Sequence, residues 1–117
     1  MSTYTLTDET AIDVLIFWIE SADGSISYSE IGAVERVLDQ MKYDMSTFND
    51  TLGHISAMST EHLHEVADEA IDYIKTNFSD RGQQLVYSLL EAIAASDGKI
   101  TSTEETKLKK IKEEFGV

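Results

Sequence analysis

Two stretches of this chain, 74 residues apart, carry the same short pattern of residues. Residues 19–30 align with residues 93–104, and five aligned pairs are identical: Ile19 and Ile93, Asp23 and Asp97, Gly24 and Gly98, Ile26 and Ile100, Glu30 and Glu104. Each copy follows an apolar segment and precedes an amphipathic one, so each copy joins two predicted helices through a short turn. The repeat therefore predicts two pseudo-symmetric helix-turn-helix halves, packed about an approximate two-fold axis.

The spacing of apolar residues predicts about six helices and no convincing strand. We expect the helices at about 8–22, 28–41, 47–58, 60–78, 80–96 and 102–115. Residues 14–19 are apolar in every direction around a helix, so the first helix should be surrounded by other helices. The fifth is apolar on most sides and should lie beside it. The sequence thus predicts an all-α fold, a compact helical bundle forming one domain over residues 1–117.

Composition narrows the classes of function. The chain has no cysteine, which excludes disulfides, thiolate metal sites and cysteine nucleophiles. The net charge of −13 repels phosphate backbones, so we expect no nucleic-acid partner. No apolar run is long enough to cross a bilayer and residues 1–10 do not resemble a signal peptide, so we expect a soluble, cytoplasmic protein. No nucleophile elbow or glycine-rich phosphate loop is present, and we predict that the chain is not an enzyme.

The repeated motif has a purely structural interpretation. Ser27 and Thr101 precede Glu30 and Glu104 by three residues, which is the spacing of a helix capping box. The Asp-Gly pair suits a turn after a helix, because glycine tolerates the left-handed conformation. This interpretation explains the glutamates, the hydroxyl residues and the glycines without any ligand.

The aspartates favour a second interpretation. Asp23 and Asp97 follow predicted helix C-termini, where the helix dipole makes a further negative charge unfavourable by about 0.3–1 kcal/mol. The spacing Asp-Gly-x-Ile-x-x-x-Glu matches the second half of a calcium-binding loop, although the first half is missing and an ordinary EF-hand is excluded. A site that combines carboxylates of both copies would offer only oxygen ligands. Such ligands favour calcium, magnesium or manganese over zinc or copper.

The paired motif, residues 22–30 and 96–104, resembles the signature of the TerB-like family, which includes tellurite-resistance TerB and the helical domain of DjlA-type co-chaperones. The resemblance covers nearly the whole chain in length, duplication and helical order. It implies a compact helical bundle with an acidic face, linked to tellurite resistance and the stress response. It also implies a divalent-metal site at Asp23, Glu30, Asp97 and Glu104. The first copy has Ser25 where the second has Lys99, and this difference does not affect the four acidic positions.

Four further features of the sequence allow other hypotheses. Glu61, His62 and His64 contain one Glu-x-x-His spacing, but a di-iron site needs a second such motif, so a polar stripe on an exposed helix is the simpler interpretation. The acidic positions around them form either a solvated face or a docking surface for a basic partner; they comprise Glu61, Glu65, Glu69, Asp68 and Asp72. Trp18 should pack in the core, and the basic run 107–112 should compensate a helix dipole.

Overall fold

The structure, a computed structural model, describes residues 6–20, 45–55, 57–95 and 100–117. These residues form five helices: α1 (Asp8–Glu20), α2 (Met45–Ile55), α3 (Thr60–Asn77), α4 (Asp80–Ala94) and α5 (Ser102–Phe115). The described part of the chain contains no strand. The all-α prediction is confirmed, and five of the six predicted helices occur within a few residues of their expected bounds.

Hydroxyl side chains cap the N-termini of α1, α3 and α4. Ser59 and Ser79 each accept a hydrogen bond from the backbone N–H three residues later, at 3.1 Å, and so cap α3 and α4. Thr7 does the same for α1, because the N–H of Thr10 donates to Thr7 Oγ1 at 3.2 Å. Each cap satisfies a backbone donor that the first turn of a helix leaves without a partner.

Helix α1 lies at the centre of the domain. All its residues from Val14 to Ile19 are at most 2% exposed, and α1 contacts each of the other four described helices, α3 most extensively. The Phe17 ring packs against Phe48 of α2 with 4.6 Å between centroids. At the other end of α1, the Tyr73 hydroxyl of α3 donates to Asp8 Oδ1 at 2.8 Å, and this hydrogen bond raises the pKa of Tyr73. The prediction of a surrounded first helix is confirmed.

Helix α4 is buried on one face only, although we expected a helix that is apolar on most sides. It buries a single face, formed by Gln83, Val86, Leu90, Ile93 and Ala94, against α1 and α5. Leu85 points away from that face and is 62% exposed. Among the described residues α4 does not share the fully enclosed position of α1, because its apolar residues are interrupted by exposed polar ones at every turn.

The predicted second helix, about 28–41, lies outside the described residues, as do both Asp-Gly turns. A six-helix count and the two-fold relation between the halves therefore stay predictions. Within the described ranges, no helix combines the length and the apolar character needed to cross a membrane.

Candidate functional site

Glu104 is the one predicted metal ligand that the structure describes, and it lies in the first turn of α5. Its Oε1 accepts a hydrogen bond from the backbone N–H of Thr101 at 2.8 Å, while its own N–H donates to Thr101 Oγ1 at 3.2 Å. The two bonds form the predicted capping box. The Glu104 side chain is buried, with only 4% of the residue exposed. None of the ion pairs found in the described ranges involves Glu104.

The capping box gives a direct prediction for Thr101. Replacing Thr101 with alanine removes the acceptor for the Glu104 N–H and should lower the free energy of unfolding by about 1 kcal/mol. Urea unfolding followed by circular dichroism measures this as a lower midpoint with an unchanged slope. Thr106→Ala, on the exposed surface of the same helix, is the matched control and should change stability by less than about 0.5 kcal/mol. Equal effects in the two variants would contradict a capping role.

The other three predicted ligands, Asp23, Glu30 and Asp97, lie outside the described residues. Asp97 is four positions before Thr101, and Asp23 is three positions after the last residue of α1. Within the described ranges, no three histidine or carboxylate side chains come together as metal ligands. The Glu61, His62 and His64 spacing therefore does not form a metal centre with other described residues.

A polar cluster around Trp18 joins α1, α3 and α5. The Trp18 Nε1–H donates to His64 Nδ1 at 2.9 Å, and Lys107 Nζ donates to the Trp18 carbonyl at 2.6 Å. The ammonium groups of Lys107 and Lys110 lie 5.1 and 5.7 Å from the Trp18 ring centroid. Lys110 also pairs with Asp68 at 2.7 Å.

The Trp18 cluster changes two of the interpretations made from the sequence. His64 is exposed, as a polar stripe requires, but it also bonds to a core side chain of another helix. Lys107 and Lys110 contact neighbouring helices, so the basic run does more than compensate the dipole of α5. Core packing of Trp18 is confirmed, since the residue is 2% exposed. The sequence signal for the cluster was weak, because its members are separated by 46 and 89 positions.

The acidic face of α3 is exposed along most of its length. Glu61, Glu65, Asp68 and Asp72 are exposed, whereas Glu69 is half-buried. Asp68 and Asp72 line a depression of 310 Å³ between α3 and α5, together with Ile71, Lys110 and Glu114. The negative charge of this depression is partly neutralised by two ion pairs. Lys110 pairs with Asp68 at 2.7 Å, and Lys75 pairs with Glu114 at 3.1 Å.

Asp13 is a buried carboxylate that the sequence interpretation did not single out. It is 0% exposed, and its Oδ2 accepts a hydrogen bond from the hydroxyl of Thr51, also 0% exposed, at 3.3 Å. The sequence does contain a sign of this buried carboxylate, because Asp13 is the one charged residue between Ala11 and Ile19. An isolated charge inside an apolar segment marks a polar contact within the core.

The chain is thus a small helical domain with a central buried helix and a capped acidic motif at the start of its last helix. The family described as tellurite resistance protein TerB matches residues 9–117, and the chain belongs to this TerB family. This membership confirms the resemblance found in the repeated motif and relates the domain to tellurite resistance. No curated protein and no solved structure matches the chain.

Proposed function

We propose that this TerB domain is a non-enzymatic module that binds a divalent cation through its duplicated motif, in a tellurite-resistance or stress-response setting. Asp23, Glu30, Asp97 and Glu104 would be the ligands. The observation that carries the proposal is the burial of the Glu104 carboxylate at the start of α5, with no ion pair to a described basic side chain.

Burial of an ionised carboxylate costs free energy unless positive charge compensates it. The N-terminus of α5 and the Thr101 N–H provide part of that compensation. A carboxylate has about four lone-pair sites, and the capping bond to Oε1 uses one of them. Capping and cation binding are therefore compatible, and a divalent cation would compensate the remaining charge. An all-oxygen ligand set favours calcium, magnesium or manganese.

The test is calorimetric titration of chelator-treated protein with calcium, magnesium and manganese. We expect saturable binding of at least one ion, and its loss in the double variant Asp23→Asn with Asp97→Asn. Glu104→Gln should weaken binding by about tenfold or more, which corresponds to about 1.4 kcal/mol. Because glutamine can also occupy the last position of a capping box, this variant keeps the helix start intact.

Glu105→Gln is the matched control, since Glu105 lies in the same turn of α5, is exposed and loses the same charge. It should bind cations about as tightly as the unmodified protein. If Glu104→Gln and Glu105→Gln lose cation affinity equally, the loss would reflect only the change in net charge. That result would contradict the assignment of Glu104 as a ligand. No binding of any ion would leave the motif as two helix junctions.

The exposed carboxylates of α3 support a second proposal, in which the acidic face docks a basic protein partner without metal. Glu61, Glu65 and Asp72 project from one side of α3, and opposite charge on a partner would steer association. This account ranks second because Asp68 is already paired with Lys110. If chelator-treated protein captures a basic peptide, and if added salt weakens this capture, the result would favour partner docking over cation binding.

A further inference from the structure

The side chain of Trp18 is fixed by a hydrogen bond to an ionisable group at the surface. Trp18 is 2% exposed and donates its indole N–H to Nδ1 of His64, which is exposed on α3. The two rings meet edge to face, with 5.7 Å between centroids. The contact joins the central helix α1 to α3, which is the helix that α1 contacts most extensively.

We propose that the Trp18–His64 hydrogen bond is an acid-sensitive latch between α1 and α3. A neutral imidazole has one ring nitrogen that can accept a hydrogen bond, whereas both nitrogens of a protonated imidazole are donors. His64 can therefore hold the Trp18 indole only while Nδ1 carries no proton. Because His64 is exposed, solvent protons reach it without unfolding of the domain.

The charges around the latch favour its release after protonation. From α5, Lys107 and Lys110 already place two ammonium groups within 5.7 Å of the Trp18 ring centroid. A protonated His64 would add a third positive charge to the same indole, so a cation–π contact would not replace the lost hydrogen bond. On α1, residues 14–17 preceding Trp18 are all apolar and offer no counter-charge.

Helix α3 offers protonated His64 an alternative partner. Glu61 lies three positions before His64, so the two side chains share one face of the helix, whereas Asp68, four positions after His64, is already paired with Lys110. Protonation would therefore turn His64 from Trp18 of α1 toward Glu61 of its own helix. Lys107 still holds the Trp18 carbonyl at 2.6 Å, so release concerns the indole and leaves α1 in place.

Trp18 is the single tryptophan of the chain, which makes the latch directly observable. In a ¹⁵N–¹H spectrum, the protein has one indole N–H signal. Between pH 8 and pH 5, the interval in which histidine side chains change charge, we expect this signal to shift upfield. Exchange of the indole proton with solvent, corrected for the intrinsic pH dependence, should become about tenfold faster, as expected for loss of one hydrogen bond. Trp18 fluorescence should change over the same interval.

Variants of the three histidines assign the transition. His64→Gln keeps an acceptor that does not titrate, so its indole signal should stay fixed from pH 8 to pH 5. His54→Gln and His62→Gln should behave like the unmodified protein. An indole transition that persists in His64→Gln would overturn the proposal. So would a constant indole signal in the unmodified protein while the ring resonances of His64 titrate, a result that needs no variant.

Discussion

Replacing Phe17 with alanine should lower the free energy of unfolding by about 3–5 kcal/mol, the range for removal of a large buried aromatic side chain. Phe17 is 1% exposed, and its ring packs on Phe48 with 4.6 Å between centroids. Helix α1 is held on all sides by α2, α3, α4 and α5, so neighbouring side chains cannot collapse into the space without moving a helix. Since domains of this size have total stabilities of about 5–15 kcal/mol, this loss is a large fraction of the total.

Urea unfolding followed by circular dichroism measures this loss, provided that the slope with denaturant is unchanged. Leu85→Ala is the matched control, because Leu85 also loses an apolar side chain within a helix but is 62% exposed. It should change stability by less than about 0.5 kcal/mol. A Phe17→Ala protein with stability close to that of Leu85→Ala would mean that α1 is not the centre of the core.

Most of the fold could be predicted from the sequence, because the spacing of apolar residues and the helix-capping residues indicate the same helices. Residues 14–19 are apolar on every side and proved to be buried on every side. Thr101 was predicted to cap a helix and does so. The exposure of Leu85 could not be predicted, because the side of an apolar helix that faces the core depends on neighbours that are distant in sequence.

Less of the candidate site could be predicted from the sequence. The capping role of Glu104 follows from a three-residue spacing, and the structure confirms it. The ligand role of Glu104 stays a proposal, because ligation depends on residues of both copies. The Trp18 cluster escaped prediction for a related reason: His64 and Lys107 meet Trp18 only after three helices have packed.

The buried pair of Asp13 and Thr51 forms a polar contact between α1 and α2. Asp13 accepts a hydrogen bond from Thr51 at 3.3 Å, and both residues are 0% exposed. Water cannot readily replace either partner at such burial, so removal of one costs the other this hydrogen bond without compensation from solvent. Burial makes this contact contribute more to stability than the exposed ion pair of Lys75 and Glu114, although that pair is shorter at 3.1 Å.

Asp13→Ala should therefore lower the free energy of unfolding by about 1–3 kcal/mol, because it deprives the Thr51 hydroxyl of this acceptor. Thr51→Val removes the donor while conserving shape, and the double variant completes a thermodynamic cycle. We expect a coupling energy of about 0.5–3 kcal/mol between the two positions from urea unfolding of all four proteins. The same cycle on Lys75 and Glu114 should give less than about 1 kcal/mol, since that pair is exposed. A coupling energy near zero for Asp13 and Thr51 would show that the carboxylate acts in the core through other contacts, and the α1–α2 interface would then depend on apolar packing such as that of Phe17 on Phe48.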